Sequence, residues 1–497
     1  MKNKLKIFVS LFAFLSTIIF CASFGNKVLA SALDDEPVDV IIKYIDLTDK
    51  HLKREGVPQI KKDYDNEELR YALRSIDKNM PWVRKIFIVM PNEKVRFLKD
   101  KDLISDKIVY VKDKDLVGFD SASCTVYELN LWRMGKFGCS KNFIYMNDDY
   151  FIGKPVKKSD FFYEENGKVV PYVLYNKGLG RGKNTEIRAR LRELSQQVNS
   201  TNKNAHSSAG FQYQKLSSIE FLYSILGKDI ITPAGDYQYF PHNAQGENID
   251  ELKEVHDWIK NKYKYADDCL QAKCRRQHSL VQQTVYTFYV LNKYNRKVNN
   301  LRGDYIDLHW ASSANLNVPL FCINTGGNMN YTDADYAKAR AVMNKAFPIP
   351  TKYEKQDLAD GVYVIESALQ KNKVLDIAEA SSKDNANLQL WDRNGTNAQK
   401  FRVSYDKTKG FYTISPLCSG KNLGVRGANA NILQCDKNNN KNQKWHLISA
   451  GRGYFYISSN SNSLFADVSI SNTRNGTNVR CWEPNGTNAQ KFRFIRQ

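Results

Sequence analysis

Asn394-Gly-Thr-Asn-Ala-Gln-Lys-Phe-Arg402 recurs letter for letter at Asn485–Arg493. A shorter echo, Asn442-Gln-Lys-Trp445, lies between them, so a Gln-x-aromatic signature falls at Gln399, Gln443 and Gln490. Self-similarity with a period of tens of residues marks a repeat architecture in which no unit buries its own apolar face alone. Each unit holds about four short β-rich runs. In the first these are Val362–Ile365, Val374–Ile377, Leu388–Trp391 and Phe401–Val403, parted by Asn-Gly-type turn signals. Three such units closing around an axis predict an all-β domain over residues 359–497.

Upstream the pattern changes. Val38–Ile45 is a continuous apolar run, as a strand buried on both faces requires. Asn66–Asp77 carries Leu69, Leu73 and Ile76 on one helical face, and Lys85–Met90 and Ile108–Val111 read as further strands. Thr125–Met134 reads as a helix and Asn142–Met146 as a fourth strand. This alternation predicts an α/β domain of Rossmann-like, nucleotide-binding character over residues 38–355, with ligands at the carboxyl ends of its strands. The fourth strand runs into Asn147-Asp148-Asp149. Two adjacent carboxylates at such an end repel each other unless a cation is shared, and a divalent ion bound to a nucleotide diphosphate supplies that charge. Residues 165–235 fit neither pattern. Gly178–Lys183 and Asn199–Ser208, rich in Gly, Asn and Ser, read as surface or acceptor-binding loops.

The chain has 497 residues, 42% of them apolar, 25% charged and 12% aromatic. That composition is globular and excludes a disordered or collagen-like chain. A mean hydropathy of −0.53 excludes a polytopic membrane protein. The net charge of +20 is spread along the chain, so it favours anionic substrates in general and does not point to nucleic acid. Residues 1–30, with a basic start, an apolar run from Ile7 to Phe24 and small residues to Ser31, read as a secretory signal peptide. Left uncleaved, the segment would be a membrane anchor. Either way the rest of the chain is extracytoplasmic, secreted or in a secretory lumen. The remaining eight cysteines form an even set that permits disulfides; Cys269/Cys274 and Cys418/Cys435 are the closest pairs in sequence.

Two resemblances follow from these motifs. Residues 359–497 resemble a ricin-type β-trefoil lectin domain. That resemblance implies a sugar site per unit, in which an Asp accepts hydrogen bonds from sugar hydroxyls and an aromatic ring stacks on the sugar. Unit one matches with Asp376 and Trp391 supported by Gln399, and unit three with Asp467 and Trp482 supported by Gln490. Unit two has Gly424 and Cys435 at these positions, which predicts an empty site.

Upstream, Asp65-Asn-Glu-Glu-Leu-Arg-Tyr-Ala-Leu-Arg-Ser-Ile76, Pro81–Val89 and Phe143–Asp149 resemble the second block of the Stealth sugar-1-phosphate transferases. Asp39–Asp49 resembles their first block. Tyr239-Phe-Pro-His242 and Arg276–Leu291 resemble the third; Phe321-Cys-Ile-Asn324 and Ala346–Glu354 resemble the fourth. The resemblance implies a UDP-sugar donor held with Mg²⁺ or Mn²⁺, a glycan or polysaccharide hydroxyl as acceptor, and release of UMP. By position, Asp148 and Asp149 would hold the metal. Asp46 and Arg74 would contact the nucleotide or its phosphates, and Glu128 the acceptor or sugar. His242 would accept the proton, and Arg276, beside Arg275, would stabilise phosphoryl charge. The sequence departs from the family pattern at Lys43-Tyr44, Leu47, Asn92-Glu93, Asp113, Asp120 and Thr325. Two alternatives remain: a metal-dependent glycosyltransferase that releases UDP, and a secreted lectin whose catalytic half is degenerate.

Overall fold

The structure is a computed structural model. It describes residues 32–46, 66–174, 179–181, 184–198, 208–227, 231–233, 244–324, 331–428 and 430–497. The amino-terminal segment read as a signal peptide lies outside the described residues.

The first half is built on five strands: β1 Asp39–Lys43, β2 Ile86–Met90, β3 Ile108–Lys112, β4 Asn142–Asn147 and, after a smaller sheet described below, β6 Gln245–Asn248. Their order is β6-β4-β1-β2-β3. The strands β4, β1, β2 and β3 are parallel, with Lys43 opposite Asn147 and Val89. The edge strand β6 runs antiparallel to β4. Every residue of β1 and β2 is buried, which accounts for their continuous apolar spelling.

The two faces of the sheet belong to different cores. On one, Ile41, Phe87, Val89, Phe143 and Tyr145 pack against helices α3 Asn184–Ser195, α4 Ser208–Leu226, α5 Ile249–Lys262 and α6 Gln282–Lys293. On the other, Val40, Ile42, Ile88, Ile144 and Met146 pack against Leu69, Leu73 and Ile76 of α1 Glu68–Asn79. The opposite side of α1, at Tyr71 and Ala72, packs on Ala339 and Met343 of α7 Asp333–Ala346. Packed between the sheet and α7, α1 is closed off from solvent even at Arg70 and Arg74. The smaller sheet, β7 Gly303–Asp307, β8 Leu320–Asn324 and β5 Tyr150–Ile152, grows directly from the Asn-Asp-Asp corner.

Two expectations need correction. The helix expected over Thr125–Met134 breaks into α2 Cys124–Glu128 and a 3₁₀ stretch at Leu131–Phe137. Between them Asn130 turns its side-chain amide onto the Val126 carbonyl at 2.8 Å and competes with the helical backbone. Residues 165–235, which fit neither sequence pattern, contain α3 and α4, while most of the two stretches read as loops, Gly178–Lys183 and Asn199–Ser208, lies outside the described residues. The spelling of α4 scatters Ser, Gln, Lys215 and Glu220 among its apolar residues on no single face, so it lacks the one-sided period that sequence reading relies on. The eight described cysteines are all unbridged, including Cys269/Cys274 and Cys418/Cys435.

The second half is twelve strands from Gly361–Ser367 to Phe492–Arg496, joined in one closed sheet. Its barrel core includes Ile365, Phe401, Ile414, Trp445, Val479 and Phe492. The three signature glutamines are fully buried and perform one job. Gln399 accepts from the Asn394 amide at 2.8 Å and donates to the Asp392 carbonyl at 2.9 Å. Gln443 and Gln490 repeat this with Asn438 and Asp436, and with Asn485 and Glu483. Each bond satisfies backbone that the corner would otherwise strand.

The halves meet along α7. Ala337 and Ala341 pack on Ile448, Ala450, Tyr456 and Phe465, and Arg340 donates to the Ser449 carbonyl at 3.1 Å. Gly486, at φ +70°, lies so close to the Asp333 carbonyl that a Cβ would collide with it. The connecting segment is pinned to α1. Arg74 grips Glu354 through two bonds of 2.8 and 2.7 Å, and Arg70 grips Asp357 at 3.0 and 2.9 Å. Burial works to raise the Glu354 carboxyl, but Arg74 and Arg70 outweigh it and hold it below the usual glutamate value. The stability this pair provides is therefore present above the unfolded-state value of about 4.3 and lost as pH falls through the lower folded value. Glu354→Gln should cost about 3 kcal/mol at pH 7, because it leaves Arg74 buried without its counter-charge. Denaturant unfolding measures this; a loss under about 0.5 kcal/mol would contradict the clamp.

Candidate functional site

In chain order β1, β2 and β3 step one way across the sheet, while β4 sits on the other side of β1. The strand order reverses between β1 and β4, and at such a switch point a crevice opens beyond the carboxyl ends. Two segments leave the sheet there: Tyr44-Ile45-Asp46 after β1, and Asp148-Asp149 after β4. Asp46 and Asp148 are both half-buried.

Asp149 turns into the smaller sheet. Its Oδ2 accepts from Asn324 Nδ2 at 2.6 Å and from Cys322 Sγ at 3.3 Å, both on β8. Burial pushes this carboxyl up to about 7, and the neighbouring Glu68 adds to the rise against the two hydrogen bonds. At neutral pH it is poised between protonated and ionised, and a cation there would fix the ionised form. No group of three His, Cys, Asp or Glu side chains that could hold a metal occurs among the described residues. The carboxylate oxygens of Asp148 and Asp149 are of the hard-donor type that Mg²⁺ or Mn²⁺ takes together with phosphate oxygens and water.

Glu128, at the end of α2, reaches the same edge. Its Oε1 lies 2.8 Å from the Tyr145 hydroxyl, which is also 2.8 Å from Asn147 Oδ1; Asn147 in turn donates to Tyr150 at 3.1 Å. Burial raises the Glu128 carboxyl against the pull of Tyr145, Arg275 and Lys43. The guanidinium felt by Glu128 and Cys124 is that of Arg275. Arg276 instead bonds Ser279 and Gln214 through its backbone, and its charge acts on Asp268. Arg74 stands apart from the edge, committed to Glu354 and the Phe347 carbonyl. Its expected phosphate contact gives way to a structural clamp. His242 lies outside the described residues.

Several residues at the edge carried no individual signal. Tyr145, Cys322 and Arg275 act through contacts between distant segments, which spacing does not encode. Glu247 on β6 is fully buried, bonded to Gln282 at 3.0 Å, and pushed by burial to about 8. The departures at Lys43 and Asp113 prove to be partners, forming a buried ion pair at 3.3 Å beside the Tyr127 ring. Two changes that look independent in sequence cancel each other's buried charge.

In the trefoil, Asp376 is buried and accepts from Gln389 at 2.9 Å, while Trp391 is exposed two residues along the facing strand. Asp467 and Trp482 take the same places in unit three. In unit two, Gly424 packs against Cys435 and Gln443, so neither the Asp nor the aromatic position carries its expected side chain. Gln399 and Gln490 are enclosed beneath the sites as turn supports and also bond the two aspartates. Unit three lies next to the docking helix. Asn324, which holds Asp149, and Asp333, which touches Gly486, are close enough in sequence that their separation cannot exceed about 30 Å.

If Asp149 is a metal ligand, its proton competes with the ion below about pH 7. Mn²⁺ affinity in the presence of UDP should fall roughly tenfold from pH 8 to pH 6, and Asp149→Asn should weaken binding at pH 8 while removing this dependence. Mn²⁺ electron paramagnetic resonance titration reads both; a pH-independent affinity unchanged in the variant would refute the assignment.

Comparison with known proteins places two modules on this architecture. The family model for conserved region 2 of Stealth proteins matches residues 62–170, and that for the ricin-type β-trefoil lectin domain matches residues 362–492. The chain is 32% identical over 142 residues to the capsular polysaccharide phosphotransferase fcs1 of Haemophilus influenzae, covering 25% of this chain and 38% of that protein. It is 30% identical over 159 residues to a capsular polysaccharide phosphotransferase of Neisseria meningitidis serogroup B, covering 29% and 42%. It is 38% identical over 116 residues to the mouse N-acetylglucosamine-1-phosphotransferase subunits alpha/beta, covering 21% and 8%. The chain thus spans less than half the length of each of these relatives. It carries a Stealth conserved region 2 within its α/β half, and a ricin-type lectin domain forms its trefoil.

Proposed function

We propose that the protein is an exported sugar-1-phosphate transferase that works on a glycan it holds with its trefoil. The observation that carries this reading is the Asp148-Asp149 pair at the switch point between parallel strands, with Asp149 half-buried and pushed to about 7. The relatives' names, polysaccharide phosphotransferases and an N-acetylglucosamine-1-phosphotransferase, support the reaction class.

The donor is a UDP-sugar such as UDP-N-acetylglucosamine. Asp148 and Asp149 hold a divalent ion, which when bound neutralises pyrophosphate charge. Asp46 borders the nucleotide side of the crevice. An acceptor glycan hydroxyl attacks the β-phosphorus, the bond to the bridging oxygen breaks, and UMP leaves with that oxygen. Glu128 positions the acceptor or sugar, held by Tyr145. His242 takes the acceptor's proton, a task for which an imidazole is chemically suited. Arg275 supplies positive charge at the Glu128 side, with Arg276 one residue further. The trefoil sites at Asp376/Trp391 and Asp467/Trp482 bind the glycan and raise its local concentration at the crevice. Export follows from the amino-terminal segment, and no described helix is long and apolar enough to cross a membrane.

A glycosyltransferase with the same metal pair would cleave at the anomeric carbon and release UDP. Incubation with a panel of UDP-sugars, Mn²⁺ and oligosaccharide acceptors should release UMP, and Asp148→Asn should lower the rate at least about 10²-fold, since it removes charge stabilisation of the transferring group. UDP as the product would replace this reading with the glycosyltransferase. No metal-dependent turnover with any donor would leave a lectin with a degenerate partner domain.

A further inference from the structure

The two trefoil units differ at the position directly across the hairpin from the site aspartate. In unit one the residue opposite Asp376 on the neighbouring strand is Gln389, a neutral amide that donates to Asp376 at 2.9 Å. In unit three the residue opposite Asp467 is Arg480. Cross-strand partners project from the same face, so Arg480 shares the Asp467/Trp482 side of the hairpin. Its guanidinium carbon lies 3.9 Å from the centroid of the Trp482 ring, the ring on which the site would stack a sugar. Among the described residues no side-chain hydrogen bond or ion pair is formed by this guanidinium, and its Nε is buried without a partner. Trp482 is 46% exposed, so the site opens to solvent.

We infer that unit three selects a sugar bearing a negative charge, a phosphate ester, phosphodiester or carboxylate, whereas unit one takes a neutral sugar. The inference rests on the reading of the trefoil as carbohydrate-binding. A neutral sugar stacking on Trp482 must displace a stacked cation and return nothing to it. A sugar with an anionic substituent meets donors of Arg480 that the protein leaves unused, in the fork geometry that matches phosphate and carboxylate oxygens. Asp467 remains for the sugar hydroxyls. Arg480 also favours the ionised form of Asp467, and its N–H donors remain open to a ligand of opposite charge. A phosphodiester-linked glycan is also what the proposed reaction would make, so this site would retain product next to the docking helix while unit one holds unmodified chain.

The test pairs sugars that differ only in charge: galactose with galacturonate, glucose with glucuronate, and N-acetylglucosamine with its 6-phosphate. The full chain is titrated by calorimetry at low salt, with Asp376→Asn included to silence unit one. In that background at least one anionic member should bind about tenfold or more tightly than its neutral partner. Arg480→Gln, which installs the unit-one residue, should erase the preference, and Gln389→Arg in the otherwise native chain should create a second anionic site. The phosphate and carboxylate pairs separate the two anion classes. Neutral sugars binding the native chain, with no anionic preference in the Asp376→Asn background, would overturn this inference and leave the lectin reading intact. No binding of any member to the native chain would overturn both.

Discussion

The arrangement depends on a half-buried carboxylate set where two sheets part. Asp149 closes the large parallel sheet and opens the small one, and its side chain is held from β8 by Asn324 and Cys322. Burying an acid costs free energy unless its charge is compensated, and the rise to about 7 measures that cost. Structure elsewhere keeps the acid in place. Helices cover both faces of the sheet, so β1 and β4 are held rigidly side by side. Their parallel register sends the segments bearing Asp46 and Asp148 out of the same end of the sheet. For the diphosphate donor proposed above, such a pre-arranged pair of segments lowers the reorganisation that binding requires.

The second constraint is the seam. The trefoil does not hang from a flexible linker: the connecting segment is clamped through Glu354 and Asp357 to the same helix that packs beneath the sheet. Small residues on α7 and the glycine at 486 let the two surfaces approach closely. The trefoil therefore has a fixed orientation to the Asp148-Asp149 edge, with Asp333 at the seam within about 30 Å of Asn324 along the chain. A rigid arrangement suits holding one polymer at two places better than capturing it at random distances.

Much of this was legible in the sequence, and what was missed has physical reasons. The continuous apolar runs at 38–45 and 85–90 announced strands buried on both faces, and the Asn-Gly turns and repeated glutamines announced the trefoil. Asp148 and Asp149 stood out because adjacent carboxylates after a buried strand need a reason. Arg74 was misread because Glu354, its partner, is far away in sequence, and a guanidinium spent on a clamp is spelled like one offered to a phosphate. The helix α4 escaped because a helix surrounded by protein has no polar face. Lys43 and Asp113 looked like losses from a family pattern, and only the fold reveals that they neutralise each other.

The central claim is that the paired aspartates grip a cation beside a pyrophosphate. Crystals soaked with Mn²⁺ and UDP-N-acetylglucosamine test it directly through anomalous scattering. The account predicts one manganese peak in contact with both carboxylates and with phosphate oxygens. A peak elsewhere, or donor bound with Asp148 and Asp149 turned away from any ion, would contradict it.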